Sequence, residues 1–302
     1  MINENDDNDF KCGFVAVAGR PNVGKSTLIN EIVGQELCIV TAKAQTTRNR
    51  ITAIHTLPHS QIIFVDTPGI HEARSPLNRA MVETAVRSVE QSDLVLFITT
   101  PVAAIPDEDE LILDLIRSNS APVILAINKI DTVESSALQS IIDAYSYEYD
   151  FHAVIPISAI NGSGVSELEQ TLVKLLPNSP PLYPVDDVSD LPLRFFIAEI
   201  VREMVTNMTG EEIPYKCAVV VESFKERDHS VLIQANIHTE RQTQKKILIG
   251  KGGSMIKKIG TASREKIEEF LGRSVRLELF VKVSPKWSKN ISQLKEFGYL
   301  VD

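Results

Sequence analysis

Eight residues constrain this chain more than any others: Gly19-Arg20-Pro21-Asn22-Val23-Gly24-Lys25-Ser26. They lie between a short apolar run, Phe14–Ala18, and a helical pattern, Ser26–Val33. The spacing G-x-x-x-x-G-K-S at a strand-to-helix turn lets backbone N–H groups close around phosphate oxygens, while the helix N-terminus adds partial positive charge. In such a loop Lys25 reaches the β- and γ-phosphates, and the Ser26 hydroxyl, with Thr27 beside it, ligates Mg²⁺.

The pattern around this loop alternates. Ile62–Val65, Leu94–Thr99, Val123–Asn128 and Val154–Ile157 read as short apolar strands, and 78–89, 108–117, 137–145 and 165–176 as helices. This predicts an α/β fold, a P-loop NTPase domain with a mostly parallel sheet and helices on both faces. It spans residues 13–177, after a disordered acidic tail at 1–12. Four prolines within Pro177–Pro184 remove donors and favour extended backbone, so 178–193 reads as a linker.

Two further strand ends select the base. Asp66-Thr67-Pro68-Gly69 follows Ile62–Val65, so that Asp66 holds a Mg²⁺-bound water and the Gly69 N–H senses the γ-phosphate. Asn128-Lys129-Ile130-Asp131 follows Val123–Ile127. A carboxylate at Asp131 accepts the guanine ring N–H and exocyclic amine; adenine lacks those donors and would leave a buried Asp131 unpaired. Ser158-Ala159 closes the guanine side, with the Ala159 N–H facing the base oxygen. Ile160 adds no specificity. Between the loop and Asp66 lies Ala44-Gln45-Thr46-Thr47-Arg48, where one threonine completes the Mg²⁺ shell; Thr47 is preferred over Thr46 because it directly precedes the arginine.

Charge is divided unevenly. Residues 1–190 hold 12 Lys+Arg against 26 Asp+Glu, and residues 191–302 hold 19 against 14. The last third is therefore basic in a chain of net charge −9, which permits nucleic-acid binding there without deciding it. No apolar run reaches the length of a membrane span. Cys12, Cys38 and Cys217 are too few and too scattered for a disulfide framework or zinc site, which fits a reducing cytosol. His55 and His59, with Pro58 between them, read as a loop rather than a metal pair.

From Phe195 the elements run α-β-β-α-α-β, with Gly250-Lys251-Gly252-Gly253 joining two helices. A G-x-x-G loop with a lysine lets a nucleic-acid backbone approach closely. Arg241, Lys245, Lys246, Lys257, Lys258 and Arg264 gather around it in sequence. The order is that of a smaller α+β type II KH domain, placed at 194–302.

GRPNVGKST, AQTTR, DTPGI and NKID together resemble the translation-factor-related bacterial GTPases of the Era type, as does the run from Leu277 through Trp287. The resemblance covers about Phe14 to Asp302. It implies GTP binding and hydrolysis with Mg²⁺, the chemistry falling to Lys25, Thr47, Gly69 and Asn22. Ile70 stands where a water-orienting glutamine would be, which implies slow intrinsic turnover. In several relatives a K⁺ ion, held partly by the residue matching Asn22, takes the place of an arginine finger. The resemblance further implies binding to 16S rRNA near its 3′ end in the 30S ribosomal subunit and assistance in its maturation. A cytoplasmic monomer, loosely associated with the inner membrane surface, is expected. Gly250, Lys251, Gly252, Gly253, Lys257, Lys282 and Lys286 are the candidate RNA contacts. The alternative is a membrane-associated cell-cycle signalling GTPase whose second domain docks protein.

Overall fold

The computed structural model describes residues 9–41, 43, 47–69, 75–102, 104–210 and 212–299. Thr46 and Ile70, both weighed above, lie outside them, as does most of the acidic N-terminal tail. The chain forms two compact units, and from Leu191 onward it belongs to the second.

The first unit is built on strands β1 (Lys11–Ala18), β2 (Ile51–Leu57), β3 (Ser60–Asp66), β4 (Leu94–Thr99), β5 (Val123–Ile127) and β6 (Ala153–Pro156). Helices α1 (Lys25–Val33), α2 (Pro76–Glu90), α3 (Asp107–Arg117), α4 (Ser135–Glu148) and α5 (Val165–Leu175) connect or follow them. The sheet order is β2-β3-β1-β4-β5-β6, parallel except where β2 pairs antiparallel with β3. Val15, Ala16, Val17 and Ala18 are fully buried, as befits a central strand covered on both faces. Because β1 has β3 on one side and β4 on the other, strand order reverses there. Ligands of such sheets bind at the carboxyl ends beside that switch point.

Strand β2 was not anticipated. Its Ile-Thr-Ala-Ile-His-Thr-Leu run mixes polar and apolar residues, and Pro58 reads as a loop signal. Pro58-His59 is instead the two-residue turn of a hairpin in which Leu57 faces Ser60. His55 therefore sits on a strand, with Nε2 3.0 Å from Glu169 on α5. Among the described residues no cluster of His, Cys, Asp and Glu is arranged to hold a metal, and the three cysteines are buried.

The proline-rich segment is not a free tether. The Pro177 carbonyl accepts from Cys12 N, and Ser179 N donates to the Phe10 carbonyl. Gln61, fully buried on β3, accepts at Oε1 from the backbone N–H groups of Leu182 and Tyr183 and donates from Nε2 to the Tyr183 carbonyl. Further on, Ile54 N donates to the Val188 carbonyl at 2.9 Å. Prolines remove their own donors only; the remaining groups of an extended chain are free to pair with a sheet edge. Residues 177–190 thus form a strap along the outer strand β2 and the start of β1.

The second unit comprises α6 (Leu193–Met208), a short α7 (Ile213–Lys216), β7 (Cys217–Glu226), β8 (Ser230–Thr239), α8 (Gln242–Ile249), α9 (Ser254–Leu271), β9 (Ser274–Val283) and α10 (Ile291–Glu296). Its sheet runs β7-β8-β9, antiparallel then parallel. Ile197, Val201 and Val205 of α6 and Ile259 and Ile267 of α9 pack with Ile233 and Ile237 of β8 in one core. After β9, Trp287 is fully buried, donating its indole N–H to the Lys216 carbonyl at 3.1 Å and lying against Phe297 and Tyr299. Ser288 is buried beside it, whereas Lys282, Lys286 and Lys289 are exposed. No helix among the described residues is long and apolar enough to cross a membrane.

Candidate functional site

The phosphate loop, the Asp66 strand end and the Asn128 strand end converge at the carboxyl edge of the first sheet. Gly24, at the N-cap of α1, has φ +103, a backbone conformation that side chains with a Cβ rarely adopt. A Cβ there would also stand 2.2 Å from Asn128 Nδ2. The vacancy is used: Asn128 Nδ2 donates to the Val23 carbonyl at 2.8 Å. Asn128 Oδ1 accepts from the backbone N–H of Lys129 at 2.8 Å and of Ala159 at 2.9 Å. One side chain therefore ties the phosphate loop to both base-side loops. Lys129 Nζ adds a bond to the Asn22 carbonyl at 2.7 Å, with Asn22 and Lys129 both at positive φ. Asp131 is exposed and receives the Ser158 hydroxyl on Oδ1. Gly19 to Ser26, Asn128, Asp131, Ser158 and Ala159 are thus gathered at one site.

A second junction lies at the phosphate end. A Cβ on Gly69 would come within 2.9 Å of the Pro21 backbone nitrogen, so the Asp66–Gly69 segment packs directly on the phosphate loop. Thr67 Oγ1 donates to the Val17 carbonyl, fixing that segment to β1. Lys25 is buried, its Nζ folded back onto the carbonyls of Gly19 at 2.9 Å and Arg20 at 3.1 Å. Burial pushes its ammonium pKa down to about 8, with Arg20 adding to that effect while Asp66 and Asp109 oppose it.

The hydroxyls of Ser26 and Thr47 meet the carboxylate of Asp66. Ser26 Oγ donates to Asp66 Oδ2 at 2.9 Å, Thr47 Oγ1 to the same oxygen at 3.2 Å, and the two hydroxyls are 3.1 Å apart. Asp66 is fully buried, and its Oδ1 has no partner that meets hydrogen-bond geometry. Burial raises the Asp66 pKa, opposed by Lys25 and by the Ser26, Thr47 and Cys38 side chains. A buried carboxylate with an orphaned oxygen beside two hydroxyls is a hard-oxygen donor set of the kind Mg²⁺ takes with substrate phosphates. The residues fit that ion: Ser26 and Thr47 would ligate it, and Asp66 would hold its water. When bound, Mg²⁺ neutralises charge on the β- and γ-phosphate oxygens. The chain's own share would then be to present loop amides and the Lys25 ammonium to the phosphates, with Thr47 closing that site.

Sequence reasoning missed Asp109, Thr99 and Tyr145. They are buried beneath the phosphate loop, with Asp109 reaching Arg20. In the sequence Asp109 is one of four acids in a helix first turn, a pattern that ordinarily signals only a favourable helix start.

The second unit carries the G-x-x-G loop as a single tight turn between α8 and α9, with Gly252 and Gly253 at φ +60 and +79. Lys251 and Gly252 are exposed, as are Lys246, Lys257 and Lys258 on the flanking helices. Lys282 does not join them. On β9 Val281 enters the core, so Lys282 points to the opposite face of the sheet, where it pairs with Glu222 at 3.6 Å. Lys286 is exposed in a turn beyond β9.

Known proteins place these features in a family. A profile described as "50S ribosome-binding GTPase" matches residues 14–129, and one described as "KH domain" matches residues 212–288. The GTPase Era of Geotalea uraniireducens is 50% identical over 96% of this chain and 98% of its own length. That of Geotalea daltonii is 51% identical over the same shares. Among solved structures, a variant of Aquifex aeolicus Era bound to GDP and AlF4⁻ superimposes with a TM-score of 0.93 at 40% identity, covering 97% of this chain and all of that one. An Era complex with MgGDPNP and nucleotides 1506–1542 of 16S ribosomal RNA gives the same score, identity and coverage. The chain belongs to the Era family of GTPases, with a mostly parallel P-loop domain followed by a KH domain.

Proposed function

We propose that this GTPase is a switch that binds 16S rRNA near its 3′ end and assists maturation of the 30S ribosomal subunit in the cytoplasm. The observation that carries the reading is the exposed Gly250–Gly253 loop with Lys251, in a chain that matches almost end to end an Era structure holding that RNA segment. The glycines leave room for a nucleic-acid backbone, and Lys251 and Lys257 supply charge beside it. Lys282 and Lys286 stand apart from the loop and serve at most a separate RNA contact.

Turnover is slow without a partner, because the sequence places Ile70 after Gly69 and offers no glutamine there to orient water. A K⁺ ion beside Asn22 supplies the missing positive charge in this reading. Support comes from the exposed, left-handed Asn22 at the rim of the phosphate loop.

The test is binding of an RNA carrying the 3′ end of 16S rRNA, followed by anisotropy at several salt concentrations, with Gly252→Asp as the variant. A salt-sensitive affinity that Gly252→Asp weakens at least tenfold, with GTP affinity unchanged, is expected. Salt-insensitive or absent RNA binding overturns the reading. Equal GTP turnover in sodium and potassium buffers removes the K⁺ part alone.

A further inference from the structure

Asn30 lies outside every nucleotide motif, yet it makes more bonds than the end of a helix requires. It sits in the last turn of α1, where its backbone carbonyl accepts from Gly34 N at 2.9 Å and ends the helix. Its side chain turns to the chain beyond. Oδ1 accepts from Cys38 N at 2.9 Å and from Leu37 N at 3.1 Å, a donor that the Gln35 carbonyl shares. Nδ2 donates to the Cys38 carbonyl at 2.8 Å. Both backbone groups of the buried Cys38 are thus paired by one amide, a side chain that carries a donor and an acceptor.

Position on the helix gives this anchor a second meaning. Ser26 and Asn30 stand at i and i+4 on α1, so they share one face, about 5–6 Å apart. Thr47 Oγ1 lies 3.1 Å from Ser26 Oγ. The chain therefore leaves that face at Cys38 and meets it again at Thr47, one helical turn nearer the phosphate loop, with residues 39–46 between. A connection whose start is fixed close to where it must end loses less freedom in arriving there. Because α1 begins at Lys25, that start also belongs to the helix that follows directly from the phosphate loop.

We propose that Asn30 is a positioning residue for Thr47: by holding the Leu37-Cys38 backbone on the face of α1 that carries Ser26, it sets where the connection to Thr47 starts. It acts through Thr47 and not on the nucleotide. The inference rests on the reading that Thr47 completes the Mg²⁺ shell of a bound triphosphate, and it adds the residue that lets Thr47 arrive there at low entropic cost.

The test is a double-mutant cycle on the full chain. Affinity for a non-hydrolysable GTP analogue in Mg²⁺ buffer depends on Thr47 in this reading, whereas affinity for GDP in chelator does not. Asn30→Ala is expected to weaken the first about tenfold and to leave the second within about twofold. In a Thr47→Ala background the same substitution should cost nothing further, because the residue it positions has lost its hydroxyl. Asn30→Asp keeps the acceptor for the Leu37 and Cys38 N–H groups and should restore part of the loss. Equal loss for both nucleotides marks a merely structural residue and overturns the proposal. An undiminished loss beside Thr47→Ala overturns it as well. If Asn30→Ala does not fold, Asn30→Asp takes its place in the cycle with about a threefold loss expected, and native analogue affinity overturns the inference equally. Should Thr47→Ala alone leave analogue affinity unchanged, the Thr47 reading fails and this inference with it.

Discussion

Asn128 Nδ2 lies 2.8 Å from the Val23 carbonyl, through the gap that the missing side chain of Gly24 leaves open. Base recognition and phosphate binding are therefore mechanically one piece. Asn128→Ala deletes this bond and those from Lys129 N and Ala159 N to Oδ1. At about 1 kcal/mol each, three bonds amount to about a 100-fold loss of GDP affinity. Titration calorimetry checks this; an affinity within threefold of the native chain refutes the clamp.

Filling the gap should do comparable harm from the other side. Gly24→Ala brings a Cβ to 2.2 Å from Asn128 Nδ2 at φ +103, and such strain costs about 1–3 kcal/mol. The expected result is loss of nucleotide binding together with a melting temperature several degrees lower for the nucleotide-free protein.

Thr47 offers a hydroxyl beside Ser26 and Asp66. Thr47→Ala should raise the Mg²⁺ concentration needed for half-maximal GTP turnover about tenfold, while GDP affinity in chelator stays native. Thr46→Ala is the comparison. An equal shift in both variants would remove the assignment of the ligand to Thr47.

Asp131 stands at the base side with the Ser158 hydroxyl on Oδ1. Asp131→Asn exchanges an acceptor for a donor and should turn preference from GDP towards xanthosine diphosphate. Competition between the two nucleotides measures it, and an unchanged ranking would sink the guanine assignment.

Lys25 is also a stability element with a definite sign. Its folded-state pKa of about 8 lies below the ordinary 10.5, so the unfolded chain binds more protons between those values. The nucleotide-free protein is therefore least favoured by this group below pH 8 and gains stability as pH rises towards 10.5. Lys25→Met should stabilise the nucleotide-free protein by about 2–3 kcal/mol at neutral pH and abolish the further stabilisation that GTP gives. Urea titrations with and without GTP test both halves.

Much of this site was readable in the sequence, because the phosphate loop, Asp66–Gly69, Asn128–Asp131 and Ser158-Ala159 each follow an apolar strand in chain order. A parallel sheet must bring such strand ends to one edge. What escaped has physical causes. Strand β2 pairs antiparallel at the sheet margin, where a mixed sequence is tolerated and periodicity is weak. Lys282 was named beside the loop lysines as a candidate RNA contact through the family resemblance, although the alternation of Val281 and Val283 along β9 sets its side chain on the other face. Asp109 hid because a helix first turn welcomes acids for local reasons, and only three dimensions show that this one points inward to Arg20.

The strap of residues 177–190 has a practical corollary. Its backbone occupies hydrogen-bonding groups of Ile54 and of the start of β1, covering part of a margin on which a foreign strand could otherwise pair. A fragment cut at Pro177 would bare it and should precipitate or self-associate, whereas one ended after Asp190 should stay monodisperse. Where the nucleotide domain stops is thus decided by who shields its border, not by where the last helix ends.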